Sequence, residues 1–207
     1  GGGNNKMLKK IGFEILPKGL IQNGMIQDSK MIEQIIIALL SRLSINPKQR
    51  RVSLSLSSSS VLTKRVTYPK TEETDVLEII FADADKHLEV DMDDIYFDYH
   101  MVDNQDDAPE FTAILVGANR QILDQYMQII KNIGFKLGVI DVDIFALVNM
   151  FEYNYGRSDD LFALINVGAS STQVIMISSG DFVFSRLITI GGQVYTKQIA
   201  EAMSIPN

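Results

Sequence analysis

The chain has 207 residues, 46% of them hydrophobic and 22% charged, with a formal net charge of −7; this composition suits a soluble globular chain of one large or two small domains and excludes a fibrous or disordered one. It has no cysteine and only two histidines, His87 and His100, which rules out a disulfide framework, a thiol nucleophile and a Cys-ligated metal, and leaves little for a histidine metal site or triad. The charge is split along the chain: residues 1–70 carry 12 Lys/Arg against 3 Asp/Glu (+9), and residues 71–207 carry 7 against 23 (−16).

The opening "GGGNNK" has no apolar run and reads as a flexible linker or added tail, and no secretory signal follows. The longest strongly apolar stretch, "IIIALL" at 35–40, is far short of the roughly 20 residues that cross a bilayer. Residues 6–16 are expected as a strand, and "LPKGLIQNGMIQD" must then turn at Pro17, Gly19 and Gly24. A helix starts at Asp28 and Ser29, carries Met31, Ile32, Ile35, Ile36, Leu39, Leu40 and Leu43 on one stripe, and ends at Asn46-Pro47. "VSLSLS" at 52–57 alternates strictly, as a strand with one buried face does. A second strand, 61–68, stops at Pro69. Thr71, Glu72 and Glu73 form a helix start that suits the macrodipole, with Val76, Leu77, Ile80, Ala84 and Leu88 as the buried stripe. Strands at 95–102 and 111–116 flank the polar link "DNQDDAPE". A helix with Ile122, Leu123, Tyr126, Ile130 and Ile133 closes at Gly134, and 136–140 is a strand. Residues 141–155 read as a helix ended by Gly156, after which come three consecutive strands, 161–167, 172–177 and 182–189, and a final helix that opens at Gly191-Gly192.

Most of the polar residues carry no chemistry by pattern. Lys48, Arg50, Arg51, Lys64 and Arg65 read as solvated strand ends and turns, with an acidic lipid surface or acidic partner as the alternative. Nucleic acid is disfavoured, because these clusters are short, lack interleaved aromatics and belong to a chain of pI ≈ 4.8. "EVDMDD" at 89–94 lacks the turn glycine and terminal glutamate of a calcium loop. Asp141 and Asp143 read as an N-cap and a first-turn acid, and His87 and His100 as surface or edge residues. The hydroxyl run at 55–60 has neither a glycine elbow nor a base. "LINVGASSTQVIMISSG" at 164–180 is two strands joined by a tight polar turn; Gly168 either permits close approach of a phosphate or serves only the hairpin.

Three segments taken in order carry a resemblance: "LIQNGMIQD" before a helix, then "VSLSLSSSSVLTKRVTYP", then "LINVGASSTQVIMISSGDFVFSRLITIGGQVYTKQIAEAMSI". Together they resemble the PilM side of the PilM/FtsA family of actin-like proteins. "KNIGFKLGVIDVDIFALVNM" is similar to the return of the family's chain from its insertion. The resemblance implies an α/β (α+β) fold, an actin-like ATPase (ribonuclease H-like) fragment with an inserted small α+β subdomain, 1C. The implied organisation is 1–61 as part of subdomain 1A, 62–137 as 1C, 138–158 as the return to 1A, and 159–207 as the start of 2A, incomplete.

The same resemblance implies a nucleotide site of which this chain has one jaw. Asn166, Gly168, Ala169, Ser170, Ser171 and Thr172 would form the partial phosphate turn, with Gly191 and Gly192 facing the cleft. Asn166 stands where the family has an aspartate, so the charge that attracts Mg²⁺ is lost while the acceptor oxygen is kept. No catalytic residue and no protein-held metal is expected. ATP and Mg²⁺ are implied for an intact protein and not for this chain alone. Arg186 aligns with an arginine before the glycine pair and takes no role.

The implied function is a cytoplasmic scaffold on the inner face of the bacterial inner membrane. It would bind the cytoplasmic tail of PilN in a groove between 1A and 1C, together with other type IV pilus platform proteins; the +9 balance of the N-terminal third separately suggests contact with an anionic membrane surface. The alternatives are an ATP-driven actin-like switch and an FtsA-like membrane-associated filament protein, although the family's filament members carry Asp-x-Gly-Gly-Gly-Thr-Thr where this chain has "NVGASST". An unfinished sheet also leaves an edge that a second copy can pair with, giving a homo-oligomer.

Overall fold

Periods of 3.6 and 2 in the apolar residues alternate along the chain, and the computed structural model, which describes residues 7–22, 24–48, 50–70, 76–102 and 108–205, turns them into helices and strands in that order. The elements are β1 (Ile21–Gln22), β2 (Met25–Ile26), α1 (Ser29–Arg42), β3 (Arg51–Leu56), β4 (Val61–Pro69), α2 (Val76–Leu88), β5 (Ile95–Met101), β6 (Glu110–Asn119), α3 (Arg120–Ile133), β7 (Lys136–Val142), α4 (Asp143–Tyr155), β8 (Leu161–Val167), β9 (Thr172–Ser178), β10 (Asp181–Ile188) and α5 (Gly192–Met203). They sort into two units, residues 1–54 with 121–140 and residues 55–120 with 141–207.

In the first unit α1 begins where the sequence signals it. The Met31 N–H donates to the Asp28 carboxylate at 3.0 Å, satisfying one of the free amides of the first turn. The buried side of α1 packs Ile32 with Leu20, Ile26, Ile129 and Ile133, and Ile35, Ile36, Leu40, Tyr126 and Phe135 close around them. Ile129 and Ile133 of α3 complete this cluster in the first unit. β3 pairs with β7, and its serines 53 and 55 are exposed while Val52 and Leu54 are half-buried.

The strand expected at 6–16 does not form. Lys6 lies outside the described residues, and residues 7–17 carry no strand. A strand needs a ladder partner for its amides, and here the segment is tied to α1 instead: the Arg42 guanidinium donates to the Phe13 carbonyl at 3.2 Å and pairs with Glu14, and the Lys10 ammonium donates to the Leu43 carbonyl. Its alternating apolar residues, Ile11, Phe13 and Ile15, remain 79%, 82% and 87% exposed, so the period-2 signal is present without its ladder.

The second unit holds two antiparallel sheets. In the first, β6 is central in the order β4-β6-β5, and residues 111–115 are buried without a break, as a strand covered on both faces must be. α2 lays Ile80 and Leu88 against Val66, Tyr68, Phe111, Ala113 and Leu115. Leu77, placed on that stripe by the sequence, is exposed, and the helix start at Thr71, Glu72 and Glu73 lies outside the described residues. In the second sheet β9 is central in the order β10-β9-β8, and it buries Gln173, Ile175 and Ile177 on one face. Phe145 of α4 meets Phe182 edge-on at 5.2 Å, and Phe151 of α4 lies 4.8 Å from the Phe162 ring. Arg65, read as a solvated cation, donates to the Phe182 carbonyl at 2.6 Å and ties β4 to β10.

Burial raises the phenol pKa of Tyr126. It does the same at Tyr68, where burial is the larger cause and the negative charge of Asp83 adds to it. A folded-state pKa above the unfolded value contributes stability that is whole below the unfolded tyrosine pKa of about 10 and is lost as pH rises beyond that through the raised folded-state value. Urea midpoints should therefore fall with rising pH in that alkaline range. The Tyr68→Phe, Tyr126→Phe double variant should show a shallower fall; an unchanged slope would mean that other groups carry it.

Candidate functional site

The β8–β9 hairpin is in perfect antiparallel register, Val167 opposite Thr172 and Asn166 opposite Gln173, and four residues, 168–171, make the turn. The turn closes on itself through the Gly168 N–H and the Ser171 carbonyl at 2.9 Å. It is also fastened from outside. The first amides of α5, from Gly192 and Gln193, donate to the carbonyls of Gly168 and Ala169, both at 2.9 Å, and the Thr172 hydroxyl donates to the Ile190 carbonyl at 2.7 Å.

This arrangement decides which backbone donors are available. The N-terminus of a helix normally offers its free amides to an anion, but the leading amides of α5 are taken by the turn. A trans peptide is planar, with its N–H opposed to its C=O. Because the carbonyls of Gly168 and Ala169 face α5, the N–H groups of Ala169 and Ser170 face away from it, on residues that are exposed. Two successive amides thus point outward from the turn, and a pair of this kind can donate to a phosphate.

The two glycines of the pair are not equivalent. A β-carbon on Gly191 would lie 2.6 Å from the carbonyl oxygens of Gly168 and Ala169 and from the Ser171 nitrogen, whereas one on Gly192 would meet only the Gly168 oxygen at 3.7 Å. Gly191 is therefore the residue that lets the turn rest on α5. Arg186 lies exposed on β10 opposite Val174.

Asn166 is engaged on its inner side. Its amide donates to the Gln173 side-chain oxygen at 2.9 Å, and the Gln173 amide donates in turn to an Asp143 carboxylate oxygen at 2.5 Å and to the Ser58 hydroxyl at 3.0 Å. The other Asp143 oxygen accepts the Ser58 N–H at 3.0 Å. Gln173 is 6% exposed, and a buried amide without partners on both ends is costly. Asp143, Gln173 and Ser58 were not among the residues expected at the site. The expected N-cap, Asp141, instead lies within β7 and accepts the Val142 N–H, and α4 starts with no side-chain cap. The Asn166–Gln173 pairing was accessible from the hairpin, since a four-residue turn at 168–171 sets 166 opposite 173.

For a divalent cation the donor set is poor. Asn166 brings a neutral oxygen, the nearby Asp143 is bonded through both oxygens, and among the described residues no group of three or more His, Cys, Asp or Glu side chains is placed to hold a metal. The acidic stretch at 89–94 is structural: Asp91 caps a 3-10 turn at Met92–Asp94 by accepting the Asp93 N–H at 2.9 Å. His87 lies 3.3 Å from Asp83 on α2 and meets the Tyr68 ring edge-on, and His100 is exposed on β5. No helix among the described residues is long and apolar enough to cross a membrane.

A family model described as "Type IV pilus assembly protein PilM" matches residues 3–207. Among solved structures the chain is similar to the PilM-PilN type IV pilus biogenesis complex, at 20% identity and a TM-score of 0.77, over 93% of this chain and 58% of that one. It is also similar to the cytoplasmic domain of EpsL, an inner membrane component of the type II secretion system of Vibrio cholerae, at 15% identity, 86% and 63% coverage and a TM-score of 0.48. A third is MreB5 of Spiroplasma citri bound to AMPPNP, at 17% identity, 87% and 37% coverage and a TM-score of 0.45. No curated protein matches the chain in sequence. The chain thus spans under two thirds of the length of these solved structures, and it shares the fold of the PilM-PilN structure.

Proposed function

The chain belongs to the family of type IV pilus assembly protein PilM, and on that premise we propose that it is an interaction protein of the pilus inner-membrane platform which binds the cytoplasmic tail of PilN. The observation that carries this reading is the likeness, across 93% of the chain, to a PilM that is itself in complex with PilN. The subdomain boundaries proposed with it are 1–61 and 138–158 for 1A, 62–137 for 1C and 159–207 for the start of 2A.

The physical support lies in the three-stranded sheet, where β4 and β5 are edge strands among the described residues. An extended tail suits such an edge, because backbone pairing supplies affinity and alternate side chains supply specificity. The work is done at the cytoplasmic face of the inner membrane. The +9 balance of residues 1–70 favours an anionic surface; equal partition onto neutral and anionic vesicles would remove that part. A pull-down with the PilN tail peptide tests the main reading. The chain is expected to retain the tail and to release a scrambled peptide of the same composition. Equal retention of both, or of neither, would end the reading.

One observation favours a second reading beside it, nucleotide binding by an intact protein. The outward amides of Ala169 and Ser170, with the hydroxyls of Ser170 and Ser171, would take phosphate oxygens, and Gly168, Thr172, Gly191 and Gly192 hold that turn in place. ATP is the ligand proposed. With an amide at 166 this jaw binds phosphate and is poor at activating water, so the nucleotide acts as a structural ligand of the scaffold.

A further inference from the structure

The direction of every hydrogen bond from Asp143 to Asn166 is fixed from one end. A carboxylate only accepts, so the Gln173 group that faces Asp143 must be its amide nitrogen, at 2.5 Å. The Gln173 oxygen then faces Asn166, and residue 166 must donate, as it does at 2.9 Å. An aspartate at 166 would set a carboxylate against that oxygen. Turning Gln173 over would relieve the clash there and create the same clash at Asp143. The chain therefore carries one negative charge in this row, at the half-buried Asp143 end.

The geometry points to Asp143 as a specificity-determining residue of the β8–β9 turn: through Gln173 it requires an amide at 166, and so sets the turn to take a phosphate anion directly rather than through a divalent cation. This inference rests on the phosphate reading of the turn. A carboxylate at 166 would repel a phosphate unless a cation stood between them. The neutral Asn166 imposes no such need, and the outward amides of Ala169 and Ser170 supply the donors. Asp143 acts through its neighbours and is a positioning residue.

The test is a double-mutant cycle on the 207-residue chain, read by thermal unfolding. Asn166→Asp alone leaves two like groups facing one another and should lower Tm by about 3–6 °C, whereas after Asp143→Asn alone Gln173 and Asn166 both turn over and little should be lost. Together they let Gln173 turn over and restore every bond, so the double variant should return close to the parent Tm. Asp143→Asn with Gln173→Glu moves the charge one place along the row and should also recover. Additive losses in both double variants would overturn the relay.

The ligand arm uses inorganic pyrophosphate, followed by its ³¹P line width with and without Mg²⁺. The parent chain should broaden the signal equally in both conditions, and the N166D/D143N chain only with Mg²⁺. A parent that needs Mg²⁺ would overturn the direct-anion part. No broadening by the parent under either condition would overturn that part together with the phosphate reading, while the unfolding cycle still judges the relay alone.

Discussion

Gly191→Ala is expected to destabilise the second unit by about 2–4 kcal/mol, the sum of overpacking against fixed backbone and two lost helix-capping bonds. The backbone at Gly191 is extended, with φ −142 and ψ −171, a region open to any residue. Conformational strain therefore contributes nothing, and the cost is steric. The new methyl would meet three backbone atoms at 2.6 Å, and none of them can rotate aside as a side chain could. Either the turn at 168–171 lifts from α5 or α5 retreats, and in both cases the amides of Gly192 and Gln193 lose the carbonyls of Gly168 and Ala169. Gly192→Ala is the matched control. Its β-carbon has room, and alanine in place of glycine in the first turn of α5 should leave stability level or raise it by up to about 1 kcal/mol. Urea unfolding of the two variants decides the matter; equal losses would mean that the glycine pair serves only the strand-to-helix junction.

Much of this was legible in the sequence wherever one local signal settles one local structure. Asp28 before an apolar helical stripe gives the start of α1, and Gly134 and Gly156 end α3 and α4 by supplying the positive φ that follows a helix. The three strands after residue 160 follow from alternation and from the turns between them. What was not legible depended on partners far along the chain. Residues 7–16 have the period of a strand, but a strand is defined by its ladder, and no described residue supplies one. α3 has an unambiguous buried stripe, and nothing in that stripe tells which surface it covers. At the candidate site the glycines and hydroxyls of 168–172 stand out by composition. Asp143, 23 positions before Asn166 in the chain, joins the site only through Gln173. Asn166, which stands where the resemblance implies an aspartate, is the amide that Gln173 and Asp143 accommodate.

The second large effect is expected at the centre of the other sheet. Phe111 is 1% exposed on the middle strand β6, with its ring stacked on Tyr68 at 5.2 Å and its neighbours Ile80, Leu88 and Leu115 in the same cluster. Phe111→Ala should cost about 3–5 kcal/mol, since the transfer energy of the ring is lost and a cavity remains where α2 crosses the sheet. Native domains are stable by about 5–15 kcal/mol in all, so this single change threatens the whole of that sheet. Phe111→Leu, which keeps most of the volume, should cost less than half as much. The pair of losses at Phe111 and Gly191 then separates the two proposed roles of the chain. They are comparable in size, and they strike the β4-β6-β5 sheet and the β8–β9 turn respectively. If the PilN tail is bound through the inserted sheet, Phe111→Ala abolishes retention of the tail peptide, Phe111→Leu largely keeps it, and Gly191→Ala keeps it while losing pyrophosphate. Loss of the tail in Gly191→Ala, with retention in Phe111→Ala, would place the docking surface on the actin-like core instead.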